Sequence, residues 1–387
     1  MKIRTIFKLF ALLLVTYSNA QNYQTQKTVV DLLTKLPLEN VIISNQKDYS
    51  TTNAEGKFIF VSANKAINLN FLGYETIATT FDELKESKDT IFMQQKTIQL
   101  PEIIVGNSAA YIQKVYDKIK DNELGNYTID FFLRNILKKE DEPMVLQDLS
   151  GKRNKDNSAK NKTSIEILNM RKVKLYDKKE GIDFKFQNFE EISNLVAPSP
   201  SGCNFTEIAF NDENYKKIEF ESKNKNNQGL GIKGYLVINK KDLAIVELKM
   251  SSDIDTTLLP YSKFMLSKVK YRTPEWTKHI KFIKDVASNK YYPVSLKMDV
   301  KVEVATDKKS FFFNNSIDFF VTSAPRDEKI TPNFSTDKDL FKAKFIYSAD
   351  FWKNQNQLPL TKELDTFLKL VADKKDKTKE YEVMGNF

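Results

Sequence analysis

Residues 29–60 read VVDLLTKLPLENVIISNQKDYSTTNAEGKFIF, and this stretch decides the fold of the first part of the chain. Val29–Asp31 can start a strand, and the turn around Pro37 leads into a second apolar run, Val41–Ile43. A polar segment then ends at Gly56, a residue type that tolerates positive φ, and alternating phenylalanines follow it. The stretch therefore predicts short antiparallel strands joined by tight turns.

The same pattern continues downstream. Ile67–Phe71 alternates, Ile91–Met93 forms another short apolar run, and Leu100–Val105 closes the series. Short strands separated by turns about every ten residues are typical of a small all-β sandwich. We expect such a sandwich over residues 21–106.

The order of these segments also resembles a known family. The residues that carry the resemblance are Pro37-Leu38, Val41, Gly56-Lys57-Phe58, Gly73-Tyr74 and Leu100–Val105. They are similar to the carboxypeptidase-regulatory-like domain at the N-terminus of many Bacteroidetes envelope proteins. The resemblance implies a transthyretin-like β-sandwich and a location in the cell envelope, and it implies a fold and a compartment more directly than an activity.

Residues 1–20 have the pattern of a secretory signal peptide. Lys2, Arg4 and Lys8 supply a positive start, Leu9–Val15 an apolar centre, and Ser18–Ala20 a small-residue cleavage site. The apolar run is shorter than the roughly 20 residues that span a bilayer. We therefore expect export to the periplasm, or to the periplasmic or outer-membrane surface, of a Gram-negative bacterium.

The rest of the chain predicts a second, larger β domain. A linking helix is expected within residues 107–126, an antiparallel β-rich domain over 127–347, and a helical tail over 348–387. Sequential hairpins with strong alternation predict a meander that curls into a half-barrel with flanking helices. The fold class expected for the whole chain is mainly β, in two domains.

A hairpin and two further turns are predicted within the second domain. A hairpin is predicted from 232–238 to 244–251, and within it Gly234–Ile238 and Ala244–Glu247 resemble the middle region of the same envelope proteins. The half-barrel resembles periplasmic lipoprotein carriers in architecture. Turns are predicted at Thr273–Glu275 and at Ala287–Lys290.

The counts of histidine and cysteine limit the chemistry. His279 is the only histidine and Cys203 the only cysteine, so neither an intrachain disulfide nor a His-ligated zinc peptidase site can form within one chain. No G-x-S-x-G motif is present, and His279 is expected at the start of a strand. A Cys203–His279 dyad stays open, and we expect no cofactor and no metal.

Carboxylate pairs are the remaining catalytic option. Asp253 with Asp255, and Asp299 with Glu303, share a face at even spacing in extended segments. Two acids about 5–9 Å apart suffice for glycoside hydrolysis. An uncharacterised carboxylate-dependent hydrolase therefore remains an alternative.

A basic segment lies between two predicted strands of the second domain. Residues 151–162 are interpreted as a hairpin loop or flexible connection, with cations at Lys152, Arg153, Lys155, Lys160 and Lys162. Such a patch can contact anionic lipid head groups or lipopolysaccharide, or it can be a solvated loop. Nucleic acid is not expected as a partner because no binding motif is present.

An aromatic stripe lies on the strand predicted over 310–323. Phe311, Phe313 and Phe319 share one face, where they can line a cavity for a lipid or glycan or can form part of the core. We expect an exported, non-enzymatic envelope protein with a binding or assembly role through its N-terminal domain, and with an envelope protein or the outer-membrane surface as partner. The alternative from another class is a periplasmic carrier of a lipid or other hydrophobic ligand in the half-barrel.

Overall fold

The structure is a computed structural model that describes residues 22–97, 108–157, 162–177, 188–193, 197–263, 269–373 and 379–387. Strands make up 52% and helices 13% of the chain, so the fold is mainly β, as the alternating sequence predicts. The expected signal peptide (1–20), the closing run Leu100–Val105 and the cation Lys160 lie outside the described residues.

The N-terminal module, residues 22–97, consists of two small sheets around one core. Its elements are β1 (Tyr23–Asp31), β2 (Ile42–Ser44), β3 (Tyr49–Thr51), β4 (Lys57–Ser62), β5 (Ala66–Asn70), β6 (Ile77–Thr80), α1 (Phe81–Glu86) and β7 (Thr90–Met93). One sheet has the order β4-β1-β7 and the other β3-β2-β5-β6. Val29, Phe58, Phe60, Ile67 and Leu69 are fully buried between them.

Two local features of the module show what the sequence signals mean physically. Gly56 has φ +72°, and a Cβ there would lie 2.3 Å from the Val29 carbonyl oxygen, so the predicted requirement for glycine is confirmed. Helix α1 is not expected from the sequence pattern, which predicts only strands and turns over residues 21–106. Thr80 and Glu83 form a capping box at its start, which is the signal that identifies it.

The remainder of the chain forms one large sheet with helices on both faces. Its elements are α2 (Ser108–Asp117), α3 (Ile119–Asn122), β8 (Tyr127–Lys139), β9 (Glu142–Asp156), β10 (Lys162–Asp177), α4 (Phe189–Ser193), β11 (Cys203–Ile208), β12 (Tyr215–Ser222), β13 (Leu230–Asn239), β14 (Ala244–Ile254), β15 (Ser262–Lys263), β16 (Lys270–Lys284), β17 (Tyr291–Ala305), β18 (Ser310–Val321), a 3-10 turn (Leu340–Lys342), α5 (Ala349–Lys353), α6 (Lys362–Asp373) and β19 (Lys379–Met384). The strand order is β11-β12-β13-β14-β16-β17-β18-β8-β9-β10-β19, and β15 pairs with β16. The large curved antiparallel sheet predicted from the alternation is therefore present.

Some local predictions are confirmed and others are wrong. The β13–β14 hairpin and the turn at 287–290 are confirmed. The turn predicted at Thr273–Glu275 is wrong, because these residues continue β16 through a bulge that accommodates Pro274. The expected helical tail contains α5 and α6 but also strand β19, which pairs with β10. The lysines at 374–377, which follow the tail helix, lie outside the described residues.

The two faces of the large sheet are covered differently. On the inner face, α2, which lies within the range of the expected linking helix, places Ile112 and Val115 over β11–β14. Helix α4 and the segment around Leu340 cover β8–β10 on the same face. On the outer face, α5 and α6 pack over β8–β10 through Trp352, Leu364, Phe367 and Val371.

The N-terminal module also packs against the outer face. Lys281 of β16 donates a hydrogen bond to the Asn40 carbonyl oxygen at 2.9 Å, and Lys297 of β17 pairs with Glu39. The side chain of Asn356, in the segment between α5 and α6, bonds both the amide and the carbonyl of Val61 at 2.7 and 3.1 Å. The module is thus held by the sheet on one side and by the C-terminal segment on another.

A row of charged side chains crosses the outer face beneath these covering elements. Seven neighbouring strands each contribute one residue of this ionic ladder, in strand order Glu247, Lys281, Lys297, Asp318, Arg134, Asp148 and Arg171. Cross-strand register places Glu247 opposite Lys281, and each residue from Lys297 to Arg171 opposite the next. Opposite charges that face each other across strands attract, so the ladder favours this register.

Asp148 is the most buried member of the ladder. Its fully buried carboxylate accepts from Arg134 Nε and Nη2, each at 2.8 Å, and from Arg171 Nε and Nη2 at 3.0 and 2.6 Å. Burial by itself raises the pKa of Asp148, but the charges of Arg134 and Arg171 outweigh it and hold that pKa below its usual value.

The two arginines also bind the C-terminal segment. Arg134 Nη1 donates to the Pro359 carbonyl oxygen at 3.0 Å, and Asn53 of the N-terminal module donates to that same oxygen at 3.1 Å. Arg171 donates to Gln357 at 2.6 Å and lies 4.4 Å from the ring centre of Trp352. The Asp148 cluster therefore joins the sheet, the tail and the module at one place.

We expect Asp148→Asn to lower the free energy of unfolding by about 3–5 kcal/mol, because it leaves two buried guanidinium groups without a neutralising charge. Urea denaturation followed by circular dichroism measures this change. The matched control is Asp350→Asn, whose side chain is 91% exposed in its pair with Lys353 and which we expect to change stability by less than about 0.5 kcal/mol. Equal effects of the two substitutions would contradict a central role for the ladder.

Candidate functional site

The aromatic stripe lies in the core of the inner face. Phe311 and Phe313 contact each other edge to face at 5.4 Å and pack with Leu137 and Val304. Phe319 stacks on Phe131 at 5.3 Å in the neighbouring apolar cluster. All three phenylalanines are buried, so the structure places them as the core alternative describes.

We expect Phe313→Ala to lower the free energy of unfolding by about 3–5 kcal/mol, because it removes a buried ring and leaves a cavity. Phe312→Ala is the matched control on the same strand, since its half-buried ring points to the outer face beneath Lys301. Thermal denaturation of both variants measures the difference. A Phe313→Ala variant as stable as Phe312→Ala would contradict the core assignment.

The basic segment is not a loop. Residues 151–156 belong to β9, which pairs with β10 from Lys162 onward, so the interpretation as a hairpin loop or flexible connection is wrong for them. The aliphatic stems of lysine and arginine allow such residues to lie within a sheet. Lys152 pairs with Glu328, Lys155 pairs with Glu123, and Arg153 is buried. Lys162 is exposed, so the described cations do not form one open patch.

Cys203 and His279 are far apart. Cys203 is buried on the inner face of β11 beneath α2, and burial raises the pKa of its thiol. His279 lies in the middle of β16 on the outer face, not at a strand start as expected, because β16 begins nine residues earlier. Three strands separate them, which is about 19 Å at the usual strand spacing. The structure does not bring this dyad together.

His279 instead joins a small hydrogen-bonded cluster. Its Nε2 donates to Glu247 Oε1 at 2.8 Å, and the Tyr235 hydroxyl donates to that oxygen at 2.7 Å. Burial favours the neutral form of Glu247, but the bond from His279 and the charge of Lys281 outweigh it and lower the pKa of Glu247 to about 2. Within the part of the chain that the structure describes, no hydroxyl or thiol hydrogen-bonds to His279.

The candidate carboxylate pairs are engaged with neighbouring side chains. Asp253 pairs with Lys225 at 3.1 Å, and Asp255 accepts from the Thr257 hydroxyl at 2.6 Å. Asp299 accepts from Ser316 at 2.6 Å, and Glu303 accepts from Arg272 at 2.7 Å. Across the described ranges, no group of three or more His, Cys, Asp or Glu side chains could hold a metal ion.

The outer face between β11 and β16 carries a continuous polar surface. We call it the polar platform, and it comprises Asn204, Thr206, Glu219, Glu221, Lys233, Tyr235, Lys249, Ser251, Thr277 and His279. Cross-strand register aligns these residues in two rows, one from Thr206 to His279 and one from Asn204 to Thr277. The intervening side chains, including Phe220 and Leu248, are buried on the opposite face. The platform is thus the polar side of strands whose apolar side forms core.

Two adjacent grooves shape the platform. One of about 450 Å³ lies over β11–β14, and one of about 700 Å³ extends over β16 and β17 as far as Phe312. Lys233, Lys249 and Ser251 line both grooves. Together the two grooves extend from β11 to β17, a distance of five strand spacings or about 24 Å. At Lys297 the row reaches the ionic ladder and the N-terminal module.

Asp318 lies in the ladder next to the end of the platform. Burial raises the pKa of Asp318 to about 6, and the nearby carboxylates of Glu39 and Asp299 add to this effect. The charges of Lys297 and Arg134 oppose it. The folded state therefore holds this proton at a pH where an unfolded aspartic acid has lost it.

Asp318 should make stability fall as the pH rises from about 4 to about 6, because the folded state binds the proton more tightly than the unfolded state does. We expect Asp318→Asn to be more stable than the unsubstituted protein by about 1–3 kcal/mol at pH 8, and equally stable below about pH 4. Urea denaturation over a pH series measures the difference. Asp327→Asn, at an exposed position, is the control for charge removal alone. If Asp318→Asn proves less stable than the unsubstituted protein at pH 8, the assignment is refuted.

A third groove lies at the other end of the large sheet. It has a volume of about 1080 Å³ and lies between the β8–β9 turn and α6, with Met144, Leu175, Phe367 and Leu370 among its apolar lining residues. Lysines and carboxylates surround it, including Lys139, Glu142 and Lys369.

Among the described residues, no helix is long and apolar enough to cross a membrane.

The structural comparisons include two distant likenesses. No protein-family model and no curated protein matches the chain. A LolA superfamily protein, NE2245 from Nitrosomonas europaea, aligns over 56% of this chain and 94% of its own, with 9% identity and a TM-score of 0.23. A putative thioesterase II from Thermobifida fusca YX aligns over 57% and 89%, with 8% identity and a TM-score of 0.12. At these TM-scores neither likeness carries an argument about function.

The platform and the ladder were not predicted from the sequence. The sequence predicts the β13–β14 hairpin, which carries four residues of the platform. Which polar residues become neighbours depends on the register between strands, and single-strand patterns do not contain it.

Proposed function

We propose that this chain is a non-enzymatic binding protein of the cell envelope that holds an extended polar ligand, such as a glycan strand, on the polar platform. The observation that carries the proposal is the selective covering of the outer face. On the outer face, the N-terminal module, α5 and α6 cover the ladder and strands β8–β10. The platform is not covered by these elements, and it carries two adjacent grooves.

The chemistry of the platform suits a ligand rich in hydroxyl or amide groups. Lys233 and Lys249 donate, Glu219 and Glu221 accept, and Ser251 does both. Glu219, Glu221, Lys233 and Lys249 are exposed, so their polar ends are accessible from solvent. Each row contains one carboxylate and one lysine, Glu219 with Lys249 and Glu221 with Lys233, and this balance favours a neutral or mixed-charge polymer over a uniformly charged one.

The envelope location rests on the sequence. The signal-peptide pattern and the resemblance of the N-terminal module to carboxypeptidase-regulatory-like domains both support export and a place at the periplasmic or outer-membrane surface. The module borders the platform at Lys297, so a partner bound to the module would also lie near a ligand on the platform. This arrangement supports the assembly role.

A hydrophobic-ligand carrier is the second candidate, and the groove beside α6 is the observation that favours it. Met144, Leu175 and Phe367 contribute apolar surface to the groove, and Leu370 on its wall is 51% exposed. Native mass spectrometry of freshly purified protein separates the two functions, because a carrier should retain a lipid. A retained lipid that is lost in Leu370→Asp would favour the carrier.

The platform is tested by substituting its two central cations. We expect Lys233→Ala with Lys249→Ala to weaken binding by about tenfold or more, since these lysines line both grooves. The probes are arrays of peptidoglycan fragments, lipopolysaccharide glycans and extended peptides. The control, Lys329→Ala with Lys338→Ala, removes the same charge from exposed positions elsewhere and should bind as the unsubstituted protein does. Equal binding by both double variants would refute the platform as the site.

A further inference from the structure

The N-terminal module presents an exposed apolar loop at one end. The loop joins β1 to the buried Leu38, and every residue from 32 to 37 is exposed. Leu33 is 85% exposed, Leu36 64% and Leu32 41%. Phe92 of the adjacent strand β7 is 43% exposed and lies beside the loop. We call Leu32, Leu33, Leu36 and Phe92 the apolar tip. Large side chains this exposed and this close together mark an interaction surface.

The loop is held in a defined conformation. The Asp31 carboxylate accepts from the Leu33 and Thr34 amides at 2.8 and 2.6 Å, and from the Tyr74 hydroxyl at 2.7 Å. The Asp31 amide donates to the Leu36 carbonyl oxygen at 2.9 Å, which closes the loop at its base. The leucines are therefore presented without a disordered segment that must be ordered on binding.

The charge on the loop has one sign. Residues 32–37 contain no acidic side chain, and the carboxylate at the base of the loop, Asp31, is 2% exposed and turned inward. Hydrogen bonds from Thr34, Tyr74 and Gln95 hold the pKa of Asp31 well below its usual value. Lys35 is exposed, and its Nζ lies 4.6 Å from the ring centre of Phe92. The tip thus combines apolar side chains with one cation.

We propose that the apolar tip inserts into the surface of a lipid bilayer, with Lys35 at the level of anionic head groups. A loop of six consecutive exposed residues suits a bilayer, which accepts exposed apolar side chains without a preformed groove. Leucine and phenylalanine side chains enter the acyl boundary, while a lysine stem lies along them and keeps its charge in the head-group layer. A single loop of this size gives weak, reversible attachment.

This inference goes beyond the proposed function and does not depend on the platform. The tip lies on the N-terminal module, whereas the platform lies on β11–β16 of the large sheet. Attachment through the tip would hold the module at a membrane and leave the platform to bind a separate ligand.

The test is flotation of the mature chain with vesicles of phosphatidylethanolamine and phosphatidylglycerol. The chain is secreted and processed in the periplasm of the expression host, and its N-terminus is checked by mass spectrometry. We expect the unsubstituted protein to float with the vesicles, and Leu33→Asp with Leu36→Asp to reduce the bound fraction by about tenfold. Both positions are exposed, so the variant should keep the melting temperature of the parent.

The matched control is Val286→Asp with Ile346→Asp, which places the same charges at apolar positions that are 93% and 74% exposed elsewhere. It should float as the parent does. Lys35→Glu should weaken flotation on vesicles that contain phosphatidylglycerol and have little effect on phosphatidylcholine vesicles.

Two results would overturn the inference. One is a parent protein that does not float, and the other is an equal loss in the control and tip variants. If the parent does not float but recovers an envelope protein from native membranes by crosslinking, and Leu33→Asp with Leu36→Asp abolishes the recovery, the tip binds protein and the lipid proposal is wrong. Binding to the glycan and peptide arrays is measured separately, so failure of the tip and failure of the platform are distinguishable.

Discussion

The structure depends on one buried carboxylate. Asp148 lies between Arg134 and Arg171. Arg134 also donates a hydrogen bond to the Pro359 carbonyl oxygen, and Arg171 donates to Gln357 and lies over the ring of Trp352. Asn53 of the N-terminal module donates to the same Pro359 oxygen. A buried charge must be paired, and Asp148 meets this requirement through Arg134 and Arg171. The same arginines bind the tail, so the sheet, the tail and the module are held together at Asp148. The ladder, which runs from Arg171 on β10 to Glu247 on β14, extends the constraint across seven strands.

That constraint also explains where the open surface lies. The covering elements pack where the ladder is buried, and the strands beyond Lys281 are left with polar side chains in solvent. The inner face carries three apolar clusters of the sheet around a few buried polar side chains such as Gln147 and Asn315, and α2, α4, the segment near Leu340 and neighbouring side chains cover it. The inner face of the sheet is therefore covered by helices and by the segment near Leu340. The outer face has a covered part over the ladder and an exposed part, the platform.

The secondary structure predicted from the sequence is wrong where local composition and tertiary pairing disagree. The lysine-rich residues 151–156 have the composition of a loop, but pairing with β10 and ion pairs with Glu123 and Glu328 make them a strand. Pro274 indicates a turn, yet a bulge admits it within β16. Strand β19 is not predicted because the alternation of residues 380–383 is too short to indicate a strand by itself, and its pairing with β10 is a long-range contact.

The sequence by itself determined the fold class, most strands, the helix that carries Ile112 and Val115, and the need for glycine at position 56, because alternation, helical spacing and turn chemistry are local. It also indicated the core character of the phenylalanines of β18 as one of two alternatives. The tertiary structure decided the ionic ladder, the polar platform and the exposure of the apolar tip. These depend on strand register, on which elements cover each face and on which loops stay uncovered, and such relations join residues far apart in the chain.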